Sequence, residues 1–146
     1  MPSIKRTMRT TTPPQQVWDY LADFENTEEW DPPTRRTVRV KGDGGTGTVY
    51  HNTSAVAGRE TEISYTVVEH DAPRLLRLEG RTAAFDALDT IEVVPRSGGG
   101  TEVTYTADFR FTGVARLALP VAPLLLWVLG QQAQRQMQGC LDDLAA

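Results

Sequence analysis

The chain has 146 residues, of which 40% are hydrophobic and 23% are charged. This length and composition are typical of a single globular domain, residues 1–146, and they exclude a disordered chain. The net charge of -4 excludes nucleic acid as a partner, because binding it requires a basic surface that replaces counterions.

The chain opens with a predicted strand and a predicted helix. Residues 3–10 alternate between two faces, as they do in a β-strand. Thr12 is then placed to cap a helix that starts at Pro13, with Gln15 as its capping-box partner. Apolar residues recur at helical spacing as far as Phe24, which gives the helix one buried face.

A second short helix is predicted from Asn26, and it carries Trp30. Asp31 precedes Pro32 and Pro33, and a proline forces the residue before it out of the helical region. The second helix therefore ends here.

From Thr34 onward the hydrophobic pattern alternates, which predicts six further strands separated by turns rich in glycine and proline. The last strand is the clearest, because Tyr105 and Ala107 share one face while Glu102 and Thr104 share the other. The six predicted strands cover residues 35–41, 48–57, 60–70, 75–82, 86–95 and 101–112.

Helical spacing returns after Gly113, which predicts one long helix over residues 113–145. A seven-stranded antiparallel sheet with an apolar inner face must cover that face. At a rise of 1.5 Å per residue, this helix is the only element long enough to do so. The predicted fold class is therefore α+β, with a curved antiparallel sheet, two short helices after the first strand, and a long C-terminal helix that closes the sheet.

Three features that suggest chemistry have structural explanations. Residues 42–47 match G-x-G-x-x-G, but a strand follows them, whereas a dinucleotide site needs a helix at this point. His51 and His70 stand on different strands with no second ligand at metal-site spacing. Cys140 has no neighbouring histidine in the sequence, so an inert packing role is expected. No cofactor and no metal are predicted.

The sequence also predicts a location. A single cysteine excludes an intramolecular disulfide, and the N-terminus lacks the apolar run of a signal peptide. The most apolar segment, residues 117–129, is interrupted by Pro120 and Pro123 and is shorter than the roughly 20 residues that span a bilayer. A cytoplasmic protein is therefore expected.

Several motifs together resemble a known superfamily over nearly the whole chain. They lie in the first helix and the turn after it, in two hairpins of the sheet, in the last hairpin, and at the start of the long helix. These segments are residues 14–26, 29–32, 45–50, 69–75, 99–105 and 113–120. In their order and content they resemble the START-like (SRPBCC) superfamily, and within it the polyketide cyclase/dehydrase-like branch.

The resemblance implies a helix-grip fold with an apolar cavity between sheet and long helix. It implies a hydrophobic or amphipathic small molecule as the ligand, but it implies no reaction, because the superfamily contains carriers and receptors as well as cyclases. Relatives in this branch carry basic residues early in the long helix, whereas residues 117–129 of this chain are apolar almost all round. That segment is interpreted either as a deeply buried helix start or dimer interface, or as an apolar lip where ligand enters or a membrane is touched.

Asp89 is the most informative polar residue. It shares strand parity with Phe85, Ala87 and Ile91, so it is predicted to point toward the packed side of the sheet. A carboxylate there is costly unless it is paired, and its pKa rises. Asp89 is therefore interpreted as a polar anchor or a general acid/base in the cavity, while a register break near Ala87 or a pairing with an arginine remain as alternatives.

Tyr65 and Tyr105 are predicted to place hydroxyl groups in the same cavity, where they bind ligand, each other or Asp89. Arg77 and Arg81 are predicted to face solvent, which weakens a cyclase mechanism that relies on an inward arginine. The candidate catalytic residues are Asp89, Tyr65 and Tyr105. The candidate ligand-binding residues are Trp30, Tyr50, Tyr65, Phe85, Asp89, Ile91, Tyr105, Phe109, Phe111, Leu124, Trp127 and Val128.

The sequence thus predicts a protein that binds, and in one interpretation carries, a hydrophobic small molecule such as a polyketide, lipid or isoprenoid. Because the residues form no recognisable catalytic constellation, enzyme activity is left open. The alternative is a polyketide cyclase, aromatase or dehydratase that uses the cavity Asp and Tyr residues. A third interpretation is a membrane- or protein-docking module that uses residues 117–129, and the protein is expected to be a monomer or a homodimer.

Overall fold

The computed structural model of the protein describes residues 2–56, 58–118 and 120–146. The first half contains β1 (Ser3–Thr10), α1 (Pro14–Ala22), a 3-10 turn (Phe24–Asn26), α2 (Thr27–Trp30), β2 (Thr34–Lys41), β3 (Val49–Val56) and β4 (Arg59–Asp71). The second half contains β5 (Leu75–Arg81), β6 (Phe85–Pro95), β7 (Thr101–Phe111), a 3-10 helix (Gly113–Ala118) and α3 (Ala122–Ala145). The α+β architecture predicted from the sequence is confirmed.

The seven strands form one antiparallel sheet in the order β1-β7-β6-β5-β4-β3-β2. The two strands at its edges, β1 and β2, are joined through α1 and α2. Register shifts in β2 and between Val67 and Glu69 of β4 interrupt the regular pairing. Such bulges bend a strand and increase its twist, and so contribute to the curvature of the sheet.

The predicted strands match the observed ones within about two residues, which is the usual spread in boundary assignment. Ala57, the predicted end of the third strand, lies outside the described residues. The G-x-G-x-x-G segment is the loop between β2 and β3, and Gly42, Gly44 and Gly47 have positive φ angles there. A hairpin loop needs that backbone freedom, so the structural explanation of this motif is confirmed.

The predicted cap of α1 is wrong. α1 begins at Pro14, and Pro13 precedes it in an extended conformation without a side-chain cap. The hydroxyl group of Thr12 instead donates to the backbone carbonyl of Leu141 at 3.3 Å, as does that of Thr10. Thr12 therefore ties the end of β1 to the last turns of α3.

The predicted long helix is also wrong at its start. Residues 113–118 form a 3-10 helix, and α3 begins only at Ala122. Pro120 and Pro123 explain the break, because a proline removes a backbone donor and is tolerated only in the first turn of a helix. Leu119 lies outside the described residues.

α3 packs mainly along β1. Gly130 allows this close approach, because a Cβ atom at that position would lie 3.1 Å from Ile4 Cγ2 and 3.2 Å from Arg6 Nη2. The inner face of the sheet is therefore closed by α3 on one side and by α1 and α2 on the other.

The core and the cavity occupy opposite ends of the strands. On β6, Ile91 and Val93 are buried in the hydrophobic core, whereas Phe85 and Asp89 line a cavity. Trp30 and Tyr50 belong to the core, where the ring of Phe24 packs against both.

Candidate functional site

A cavity of about 240 Å³ lies between the inner face of the sheet and α3. Its wall is mainly apolar and aromatic, with a few polar groups. From the strands and the segment before β2 come Ile4, Asp31, Pro33, Ser54, Val56, Thr61, Ile63, Tyr65, Phe85, Asp89, Tyr105, Phe109 and Phe111. From α3 come Leu125, Leu126, Leu129 and Ala133.

Asp89 projects into this cavity from the middle of β6. The pairing of β6 with β7 runs without a shift from Phe85 to Pro95 and places Asp89 opposite Ala107, so there is no register break at Ala87. Asp89 is only 4% exposed, and the hydroxyl group of Tyr105 donates to its Oδ2 at 3.1 Å. No ion pair with an arginine is found for Asp89 among the described residues.

Burial raises the pKa of Asp89 to about 7. The negative charge of Asp31 contributes to this increase, whereas the hydrogen bond from Tyr105 opposes it. Near neutral pH this carboxyl group is therefore divided between its protonated and ionised forms, and it can both donate and accept a proton.

Asp31 is a second carboxyl group in the same wall, and the sequence analysis did not select it. It follows α2 in an extended conformation, and the hydroxyl group of Thr34 donates to its Oδ2 at 2.6 Å. Burial raises the pKa of Asp31 to about 6, and the bond from Thr34 acts in the opposite direction. The direction of the Asp31 side chain is set by the bend before Pro32, because Asp31 does not belong to a strand. Its position before a proline was the only signal in the sequence.

A chain of hydrogen bonds fixes the surroundings of Asp31. The side-chain amide of Asn52 donates to the hydroxyl groups of Thr34, at 3.1 Å, and Thr37, at 2.8 Å. Ser54, which also lines the cavity, donates to Asn52 Oδ1 at 2.6 Å. Asn52 is buried on the inner face of the sheet, as is Tyr50 two residues before it on β3.

Tyr65 and Tyr105 both project inward, as strand parity predicted. The ring of Tyr105 packs edge-on against Trp30 with centroids 5.2 Å apart, and Tyr65 packs in the same way against Phe24 at 5.0 Å. Burial raises the pKa of both phenols well above its ordinary value, so both hydroxyl groups stay protonated. The Tyr65 hydroxyl has no hydrogen-bond partner among the described residues.

Gly80 leaves the space that the Tyr65 ring occupies. The two residues pair directly between β4 and β5, and a Cβ atom on Gly80 would lie 2.7 Å from Tyr65 Cε1. Only a residue without a side chain lets the ring lie across β5.

Half of the predicted ligand-binding residues line the cavity, namely Tyr65, Phe85, Asp89, Tyr105, Phe109 and Phe111. Trp30, Tyr50 and Ile91 lie in the core instead. Leu124, Trp127 and Val128 point away from the cavity into solvent. The rotation of α3 decides this, because it turns Leu125, Leu126 and Leu129 inward, and a segment that is apolar on every side carries no periodic signal of its inner face.

The apolar segment is not a deeply buried helix start. Leu117 is 83% exposed, Leu124 70% and Trp127 57%, and Val121 and Val128 are exposed as well. These five side chains form an exposed apolar surface beside the cavity wall, and we call it the α3 apolar surface.

Other candidate residues have plain structural roles. His51 pairs with Glu62 at 2.5 Å on the exposed side of the sheet, and His70 packs its ring against Trp18. Arg77 and Arg81 are exposed, as predicted, and they pair with Glu69 and Glu79. The Cys140 thiol is partly buried beside the backbone carbonyl of Glu29.

A family model described as "Polyketide cyclase / dehydrase and lipid transport" matches residues 1–146. The chain belongs to this family. Its members' description covers both enzymes and carriers, so membership of the polyketide cyclase/dehydrase and lipid transport family supports a ligand-binding or cyclase role and fixes no substrate. No curated protein matches the sequence at a significant level.

Solved structures share the fold at low sequence identity. A START superfamily protein from Mycobacterium smegmatis has a TM-score of 0.79 and 13% identity, and the alignment covers 95% of this chain and 96% of that one. The Zhui aromatase/cyclase from Streptomyces sp. R1128 has a TM-score of 0.75 and 16% identity, with 95% and 90% covered. XoxI from Bacillus cereus has a TM-score of 0.71 and 20% identity, with 100% and 99% covered. These likenesses establish the helix-grip fold of the family, including its START-like relatives.

None of the helices in the described parts of the chain has the length and hydropathy that a bilayer crossing requires.

Proposed function

We propose that the protein binds a hydrophobic small molecule, such as a polyketide, lipid or isoprenoid, in this cavity and carries it. The observation that supports the proposal is the cavity itself, whose wall is apolar except for a few polar groups that include Asp31 and Asp89. Burying roughly 250 Å² of apolar ligand surface would contribute about 6 kcal/mol before the entropic cost of association. A micromolar complex requires about 8 kcal/mol, so hydrogen bonds to the polar groups of the wall must add to the apolar burial.

Filling the cavity tests this function. Ala133→Phe places a ring in a wall position of α3, whereas Ala145→Phe makes the same change at an exposed position in the last turn. We expect a fluorescent apolar probe to bind the Ala133→Phe variant at least tenfold more weakly and the Ala145→Phe variant as well as wild type. Equal binding to both variants would place the probe elsewhere and refute the proposal. Native mass spectrometry of protein purified from its own host would identify a retained ligand.

A cyclase, aromatase or dehydratase is the second candidate. The pair formed by Asp89 and the Tyr105 hydroxyl favours it, because an acid with a pKa near neutrality is suited to proton transfer. In this function Asp89 moves protons, while Tyr65 and Tyr105 hold substrate oxygens. We expect Asp89→Asn combined with Tyr65→Phe to abolish turnover of a polyketone and to leave its affinity within a few-fold. A wild-type protein that turns over no polyketone would exclude the enzyme.

A docking role is supported by the α3 apolar surface. No Asp or Glu occurs between Asp108 and Asp142, whereas Arg110, Arg116 and Arg135 lie in that interval of a chain with net charge -4. An apolar surface with an exposed tryptophan and only positive neighbours in sequence suits an anionic membrane surface. Vesicle co-sedimentation measures this docking directly.

A further inference from the structure

The charged groups described in the cavity wall are all acidic. The lining includes two carboxyl groups, from Asp31 and Asp89, and none of its described residues is Lys, Arg or His. The remaining polar groups are the hydroxyls of Tyr65, Tyr105, Ser54 and Thr61. A ligand in this cavity thus meets carboxyl groups and neutral oxygen atoms.

Neither carboxyl group has a cationic partner among the described residues. Each accepts a hydrogen bond from a neutral hydroxyl group, Asp31 from Thr34 and Asp89 from Tyr105. The ion pairs found in the described structure all join partly or fully exposed side chains outside the cavity. Buried charges in proteins are normally paired, but no counter-charge is found in the described residues for the buried Asp89 or the partly buried Asp31.

The ionisable groups near Asp31 and Asp89 are mainly acids and tyrosines. Asp31, Tyr105 and Asp108 influence the ionisation of Asp89, and Asp31 and Asp89 both influence that of Tyr65. The inner face of β1 also carries Arg6, but its guanidinium group lies against Gly130 of α3 and is not part of the cavity wall. No cation of the described lining therefore competes for the two carboxylates.

Tyr65 contributes a hydroxyl group to the cavity wall. Its side chain is only 9% exposed and lines the cavity, yet its hydroxyl group has no hydrogen-bond partner among the described residues. This hydroxyl group is not sealed inside the protein, because it remains accessible from the cavity. A ligand with a polar head beside Tyr65 would provide a hydrogen-bond partner for this hydroxyl group.

We propose that the ligand of this cavity is a hydrophobic amine, whose ammonium group is bound by the carboxyl groups of Asp31 and Asp89 while its apolar body packs among the aromatic side chains. This inference rests on the proposed binding function and narrows it to one ligand class. An ammonium group supplies the counter-charge that the wall lacks and donates to carboxylate and phenol oxygens. A carboxylate or phosphate ligand would instead meet charge of its own sign.

Three probes with one naphthalene skeleton test the inference: 2-naphthylmethylamine, 2-naphthalenemethanol and 2-naphthoic acid. We expect calorimetry at pH 7.5 to show the amine binding at least tenfold more tightly than the alcohol, and the acid most weakly. Asp31→Asn and Asp89→Asn should each weaken amine binding at least tenfold and change alcohol binding less than threefold. Asp86→Asn, an outward acid of the same strand that pairs with Arg110, is the matched control and should change neither.

Proton exchange gives a readout that does not depend on variants. Because an ammonium group favours the ionised carboxyls, amine binding at pH 6.5 should release protons, seen as a buffer-dependent binding enthalpy, and alcohol binding should release none. Amine affinity should fall as the pH is lowered below about 6, where both carboxyl groups take up protons.

The outcomes separate this inference from the function on which it rests. If the alcohol or the acid binds at least as tightly as the amine, and Ala133→Phe removes that binding, the amine inference is refuted and the binding function stands. If no probe of the three binds, nor any other apolar probe, both are refuted.

Discussion

Asp89 shows how strand parity places a carboxyl group inside a protein. Its alternation with Phe85, Ala87 and Ile91 predicted an inward side chain, and the unbroken pairing of β6 with β7 confirms it. Asp31 was not predicted, because the bend before Pro32 and a hydroxyl group three residues later determine its direction. A period-two pattern predicts the direction of side chains on strands but not of side chains on bends.

The raised pKa of Asp89 predicts how stability changes with pH. Its carboxyl group has a pKa of about 7 in the folded chain and an ordinary value of 3.8. Between these values the folded chain holds a proton that the unfolded chain has released, so stability falls as the pH rises from about 4 to about 7. We expect Asp89→Asn to raise the thermal midpoint at pH 8 by several degrees, since the shift corresponds to on the order of 4 kcal/mol, and to change it little at pH 4.

Asp86→Asn is the control for this measurement by differential scanning calorimetry. Asp86 lies on the same strand but outside the cavity and pairs with Arg110, so its substitution should not produce a pH-dependent gain. A stabilisation by Asp89→Asn that is larger at pH 4 than at pH 8 would contradict the assignment.

Gly80 yields a second prediction for a single residue. Gly80→Ala should displace the Tyr65 ring, because the new Cβ atom would lie 2.7 Å from Cε1 of that ring. We expect a loss of about 1–3 kcal/mol in the free energy of unfolding, measured by urea denaturation, together with weaker probe binding. Gly139→Ala, where a Cβ atom meets nothing within 4 Å, should instead stabilise α3 by roughly 0.5–1 kcal/mol. Equal effects of the two substitutions would refute the role of Gly80.

At the scale of elements, α3 is where the sequence was least informative. Helical spacing correctly predicted a helix to the end of the chain, but residues 113–118 and the prolines that follow delay its start to Ala122. A helical segment with no polar face does not show which of its sides is buried. Leu124, Trp127 and Val128 were therefore predicted to face the cavity, although they face solvent. Strands such as β5 and β7 were predicted well because their residues alternate between a buried and a more exposed face.

The exposure of the α3 apolar surface predicts membrane binding that two substitutions remove. Leu124→Glu with Trp127→Glu changes two exposed side chains that do not line the cavity. We expect wild-type protein to co-sediment with vesicles of one-third phosphatidylserine, and the double variant to lose at least tenfold in bound fraction, because burial of apolar area drives interfacial binding.

The control variant, Gln132→Glu with Ala145→Glu, adds the same charge elsewhere on α3. It should still bind vesicles, with a smaller loss of bound fraction than the first double variant. Wild-type protein that stays in the supernatant and sediments as a dimer in analytical ultracentrifugation would identify the surface as a contact between two copies.

At the scale of the whole molecule, the sheet joins distant parts of the sequence. β1 pairs with β7, so that Thr7 lies beside Thr104, 97 positions away. Contacts of such long range slow folding, because the loop must close before they form. We expect refolding, followed by stopped-flow fluorescence of the three tryptophans, to take milliseconds to seconds. A major refolding phase in the microsecond range would contradict this topology.

The position of β1 has a consequence for synthesis on the ribosome. β1 leaves the exit tunnel before the other six strands of the sheet but pairs only with β7, the last of them, and α3 follows β7. Until β7 and α3 have been synthesised, the apolar inner face of the partial sheet stays exposed, and exposed apolar surface of this kind favours aggregation. The cavity is complete only after α3 has been synthesised, so the proposed ligand can enter it only once α3 has packed against the sheet.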